Sequence, residues 1–202
     1  MISLSEILHT IAQALMIPCL IILLVLMAGA VWQIGDIVVE YIAERRKHKC
    51  DVPQLLRDVH TAGADGLADL IENSGLLRRQ KKALLELAES RGLPKDTLTA
   101  LAERLLATEE ARNARTTSIT DMIAKLGPMF GLLGTLIPLG PGIVALGQGD
   151  TVTLSESMNV AFDTTIAGVI SAAVASVISH IRKRWYNDDM VSLETLMEAV
   201  LE

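Results

Sequence analysis

Three stretches of this chain contain no Asp, Glu, Lys or Arg: residues 7–35, 126–149 and 164–181. A helix needs about 20 predominantly apolar residues to cross the hydrocarbon core of a bilayer, and its backbone polar groups must be satisfied within the segment. Each stretch is read as one transmembrane helix. Composition supports this only through position. A soluble domain can also be 50% hydrophobic, but its apolar residues are then spread at core periodicity. Here they are gathered into runs, and mean hydropathy reaches +0.40. This argues against a soluble enzyme and a disordered chain. A net charge of -6 offers no basic excess for a nucleic acid.

Charge placement orients the spans. Every Lys and Arg lies between Arg45 and Lys125 or in the triplet Arg182-Lys183-Arg184, and the segment 148–159 carries only Asp150 and Glu156. The positive-inside rule then places the N-terminus outside and residues 45–122 in the cytoplasm. Span 2 passes outward, span 3 returns, and the C-terminus is cytoplasmic. The cluster Arg45-Arg46-Lys47-His48-Lys49 and the triplet mark two inner boundaries. Trp32, Tyr41, Trp185 and Tyr186 flank them, as interfacial aromatic rings do. No basic residue precedes the first run, which is also too long for a signal-peptide core, so it reads as a retained span. Cys19 inside that run and Cys50 beyond the basic cluster fall on different sides of a boundary, and no disulfide is expected.

Between spans 1 and 2 the periodicity is helical. Leu55, Leu56, Val59, Ala62, Leu67, Leu70 and Ile71 form a stripe broken near Gly63 and Gly66, and Asn73-Ser74-Gly75 reads as a stop. A second helix covers 76–90. Pro94 suits the start of a third, in which Leu98, Leu101, Ala102, Leu105 and Leu106 recur at three and four. No Pro or Gly interrupts residues 95–126, so one long helix is expected to run into span 2. The fold class is therefore all-α: an integral membrane protein with three transmembrane helices and a helical cytoplasmic stem domain. Its expected divisions are 1–44 (N-out segment and span 1), 45–122 (cytoplasmic helices), 123–186 (spans 2 and 3) and 187–202 (a C-terminal cytoplasmic helix). The stem reads as a solvated extension of the membrane helices; a docking surface for a cytoplasmic partner is the other reading.

No nucleophile elbow, phosphate loop or metal-spaced cluster is present, so neither an enzyme nor a cofactor is expected. His48, Cys50 and His60 fit no zinc spacing. His9 and His180 read as interfacial side chains at span ends, with a proton relay as the alternative.

Spans 2 and 3 carry the information. Gly127, Gly131, Gly134 or Thr135, Pro138 and Gly142 share one face of span 2, and small residues at this spacing let helices approach closely. Pro128, Pro138 and Pro141 free carbonyls that a neighbour or a watered path must satisfy. In span 3, Thr165, Gly168, Ala172, Ala175 or Ser176, and Ser179 form a small, polar face. Ile166, Ile170, Val174, Val177 and Ile181 lie opposite. Thr165 can line an ion route, or its hydroxyl can simply bond its own i−4 carbonyl. Asp163 is the acid nearest span 3. Counting from Arg182 puts it near the outer boundary, and it points some 160–200° from Thr165 at about 100° per residue. It reads as a pore carboxylate or as a helix-start residue facing a neighbouring subunit.

Gly131-Leu132-Leu133-Gly134-Thr135, followed on the next span by Ala161-Phe162-Asp163-Thr164-Thr165-Ile166-Ala167-Gly168, resembles the signature of the MotA/TolQ/ExbB proton channel family. The motif-bearing resemblance covers about residues 94–186, and three N-out spans with a large segment after the first are similar to the TolQ/ExbB branch. The resemblance implies a homo-oligomeric ring, pentameric in the best-known cases, in a cell (cytoplasmic or inner) membrane. The ring surrounds single-span partners of the ExbD/TolR/MotB type and drives work such as protein transport or a molecular motor from the proton-motive force. It assigns the ion pathway to Thr135 and Thr165, with Thr164 and Asp163 beside them. It assigns helix packing to Gly131, Gly134 and Gly168; Gly127 and Ala172 join them from the small-residue faces of spans 2 and 3. Where ExbB and TolQ carry a glutamate five residues before the span-3 threonine, this chain has Val160, with Glu156 one turn earlier. A non-conducting scaffold assembled through its small-residue faces is the alternative function.

Overall fold

A computed structural model describes residues 4–45, 51–61 and 66–201, and these are helical with short connections and no strand among them. The helices are α1 (Leu4–Ala14), α2 (Met16–Glu40), α3 (Val52–Thr61), α4 (Leu67–Asn73), α5 (Arg78–Glu89), α6 (Lys95–Gly147) and α7 (Thr151–Leu201), with a π-helical turn at Tyr41–Arg45. Three helical segments are long and apolar enough to span a membrane, the first near the N-terminus. Most of the basic cluster after Arg45, the expected break at Gly63, and His48 and Cys50 lie outside the described residues.

The first charge-free run is helical but interrupted at Leu15. Pro18 explains the position: it has no N–H to donate, and its ring crowds the carbonyl four residues earlier, that of Ala14. In α6, by contrast, Pro128, Pro138 and Pro141 all sit inside a helix that stays unbroken.

The chain packs as two units, one of Met1–Gly35 with Ser118–His180, the other of Asp36–Thr117 with Ile181–Glu202. Charge alone suggested divisions after 44, 122 and 186. Those divisions follow expected membrane boundaries, whereas these follow packing. Asp36 and Glu40, for example, pair with Arg182 in the second unit.

In the first unit, α2 meets α6 and α7 through Leu26, Ala30, Ile123 and Ala175. Val174, on the apolar face of span 3 opposite its small residues, is partly buried against this cluster. The Cys19 thiol donates to the Phe130 carbonyl at 3.4 Å. Large apolar side chains point outward: Ile21, Leu24 and Val25 on α2, Leu132 and Leu136 on α6, Ile166 and Val169 on α7. Less than half of each apolar segment is buried within the chain. A water-soluble monomer does not leave that much contiguous apolar surface open.

The second unit has a conventional core. Leu67 and Ile71 of α4, Leu84 and Leu87 of α5, Leu98 and Ala102 of α6, and Leu193, Leu196 and Met197 of α7 form one buried cluster. Full burial of a leucine contributes about 1.5–3 kcal/mol. Two polar ties fix the C-terminal part of α7. Gln80 donates to the Asp189 carbonyl at 2.9 Å, and Arg91 donates twice to the Val200 carbonyl, satisfying a carbonyl in the helix's last turn.

Candidate functional site

The segments of α6 and α7 in the first unit lie against each other along a seam of small residues, and the glycines make it close. A Cβ placed on Gly168 would fall 2.5 Å from the Gly127 carbonyl oxygen and 2.9 Å from the Gly131 Cα. One placed on Gly127 would fall 2.7 Å from the Gly168 carbonyl and 3.1 Å from the Ala172 Cβ. At Gly134 it would meet the Thr164 Cβ at 2.6 Å, and at Gly142 the Ser157 Cβ at 3.0 Å. Real Cβ atoms essentially never come within 3.0 Å, so the helix pair depends on hydrogen at Gly127, Gly134 and Gly168, while Gly142 is tight. All five expected packing residues, Gly127, Gly131, Gly134, Gly168 and Ala172, lie in this seam.

The three threonines divide. Thr164 is buried in the seam against Gly134, and its hydroxyl donates to the Val160 and Ala161 carbonyls, both at 2.9 Å. Thr165 is half-buried at the seam's margin and donates to the Ala161 carbonyl at 3.0 Å. Thr135, also half-buried, donates to the Leu132 carbonyl at 2.6 Å. A hydroxyl has one hydrogen to give and two lone pairs to receive with. Thr135 and Thr165 therefore spend their donor on their own helix and keep acceptor capacity. The two are close in level: a Cβ on Gly131, one turn before Thr135, would lie 3.6 Å from the Thr165 Cα. Asp163 and Glu156 are exposed.

The turn joining the helices is compact. Gly149 has φ +78°, its N–H donates to the Leu146 carbonyl, and the Asp150 N–H donates to Ala145, which is the Schellman arrangement. Asp150 then caps α7 by accepting from the Val152 and Thr153 N–H groups at 3.1 Å and from the Thr153 hydroxyl at 2.6 Å. The Thr153 hydroxyl, with the Thr153 and Val152 N–H groups behind it, holds the Asp150 carboxyl below its ordinary pKa.

The family model of the MotA/TolQ/ExbB proton channel family matches residues 70–195, more than half of the chain. The chain belongs to this family. The matched residues include the whole α6–α7 seam and the turn that joins it. It is a channel family rather than an enzyme family. Comparison with curated proteins returned no match.

Two features of this family member escaped the sequence reading. In the second unit Arg182, 2% exposed, donates to Glu40 at 3.1 Å and to Asp36 at 3.2 Å, and the Tyr186 hydroxyl hydrogen-bonds Glu40. Tyr41 and Trp185 stack with ring centroids 6.1 Å apart. Asp36 and Glu40 at i and i+4 share a helix face, a pairing signal hidden by reading the basic triplet only as a boundary marker. In the first unit, the Ser179 hydroxyl donates to Asp121 Oδ1 at 2.5 Å across α6 and α7.

Proposed function

We propose that this chain is the ring-forming subunit of a proton-driven channel. In this reading several copies surround the single membrane helix, or pair of helices, of an ExbD/TolR/MotB-like partner. The partner supplies the carboxylate that exchanges protons in the membrane, and Thr135 and Thr165 line the path beside it. The observation that carries this is the α6–α7 seam with its two acceptor-capable hydroxyls at one level, in a chain of this family. The N-terminus lies outside and the C-terminus in the cytoplasm of the cell membrane, as the positive-inside rule directs. The three-span layout favours the TolQ/ExbB branch. Pentameric assembly covers the apolar surface that a single chain leaves open, and lipid covers the rest. Asp163 faces a neighbouring subunit at the outer boundary.

The test has two arms. Native mass measurement of the complex purified with its partner should give five copies with one or two single-span chains. In liposomes that complex should pass protons, and Thr165→Val should slow the flux about tenfold or more. A complex without a single-span partner, or flux unchanged by Thr165→Val and by Thr135→Val, contradicts the reading.

A further inference from the structure

The first unit holds five carboxylates among the described residues: Glu6, Asp121, Asp150, Glu156 and Asp163. Four are exposed. Asp121 is half-buried, and its Oδ1 accepts the Ser179 hydroxyl across the helix pair. Its place follows from helix geometry. Asp121 precedes Thr135 by fourteen residues and Ser179 follows Thr165 by fourteen. At 1.5 Å and 100° per residue, both lie about 21 Å from the threonine level and within about 40° of the threonine's face. They lie near the end, away from the Gly149 turn, of the α6 and α7 segments that belong to the first unit. The charged and titratable groups within a turn of the pair are Lys125 on α6 and His180, Arg182 and Lys183 on α7; of these only Arg182 is buried. Asp36, near the end of α2, belongs to the Arg182 cluster.

We propose that Asp121 is the proton-carrying carboxylate at this mouth of the path, with Ser179 as its positioning residue. The inference rests on the channel reading above and deepens it. The carboxylate takes a proton from water arriving along the threonine face, becomes a neutral carboxyl group, and returns the proton to water at the mouth. Ser179 suits the cycle because a hydroxyl can donate to a carboxylate oxygen and, more weakly, to the carbonyl oxygen of a carboxylic acid. The tie can therefore be kept in both charge states. It also gives this chain a proton acceptor of its own, although Val160 stands where the ExbB and TolQ motif has glutamate.

Asp121→Asn separates this role from a structural one, since the amide oxygen still accepts from Ser179 but cannot carry a proton. The full chain with its partner is reconstituted in liposomes, a potential is imposed with potassium and valinomycin, and entry of protons is followed with a trapped pH dye. Asp121→Asn should cut flux about tenfold or more, Asp121→Glu should restore most of it, and Ser179→Ala should fall between them. Infrared difference spectra of the full chain across a pH step should contain a carboxyl band that Asp121→Asn removes. Wild-type flux in a folded Asp121→Asn, or an unchanged carboxyl band, overturns the role of Asp121. If the wild-type complex passes no protons, the channel reading itself fails, and the infrared band still decides whether Asp121 takes up a proton. Should Asp121→Asn fail to assemble, wild-type flux in Ser179→Ala together with an unshifted carboxyl band overturns the proposal.

Discussion

At the residue scale, distance separates glycines that are needed from glycines that are incidental. Gly168 leaves no room for a methyl group, with backbone atoms of Gly127 and Gly131 inside 3.0 Å, while Gly140 has nothing within 4 Å. Gly168→Ala should therefore lower the thermal midpoint of the detergent-solubilised protein, by about 1–3 kcal/mol of overpacking strain. Gly140→Ala should leave it unchanged or raise it, since alanine gains up to about 1 kcal/mol in a helix interior. The Arg182 pairs are ranked by exposure. The Glu40 side chain is 16% exposed and that of Asp36 is 56% exposed. Removing the charge of Glu40 leaves a buried guanidinium short of its better-shielded partner, which costs about 3–5 kcal/mol for a fully buried pair and less here. Glu40→Gln should destabilise more than Asp36→Asn in the same melting experiment, and equal effects would show that burial does not set the order.

At the element scale, the α6–α7 turn is the piece whose chemistry is most local. Only glycine adopts φ near +78° without steric cost, so Gly149→Val should destabilise the hairpin by about 1–2 kcal/mol or more. The cap gives the turn a pH dependence of known sign. The folded pKa of Asp150 is depressed. Its contribution is present above the unfolded value of about 3.9 and is lost as pH falls through the folded value. Asp150→Asn should remove that acid-side dependence from melting curves while keeping an acceptor for the N–H groups of α7.

Much of the element list was legible beforehand. Charge-free length marks a membrane helix directly, and the uninterrupted run from Lys95 to Leu126 led correctly into one long α6. The break at Leu15 was legible in Pro18 but was masked by the hydropathy of the run around it. Face assignment on span 3 was coarser. Thr164 and Thr165 are 100° apart, and the sequence does not say which of two adjacent threonines meets the neighbouring helix. Gly134 decides it, because the space it leaves is filled by Thr164. The Arg182 cluster and the Asp121–Ser179 tie join residues 58 to 146 positions apart. Periodicity within one helix carries no information on such pairs.

At the scale of the whole molecule, the chain combines a small unit with an ordinary leucine core and a unit whose apolar residues face outward. The first kind of surface is satisfied internally, as Leu87 and Leu196 illustrate. The second is left for lipid or for other helices to cover. Leu87→Ala should unfold the leucine-core unit by about 2–5 kcal/mol. Limited proteolysis should then cut within residues 51–117 while residues 118–180 stay protected in detergent; equal cleavage of both regions would contradict two separately cored units. The most direct test of the proposed channel is proton flux through the complex of this chain with the proposed single-span partner, reconstituted in liposomes under an imposed potential and pH gradient. Flux should follow the sign of the proton-motive force and fall with Thr165→Val. An assembled complex that holds the gradient as well as protein-free liposomes do would contradict it and leave the non-conducting scaffold in its place.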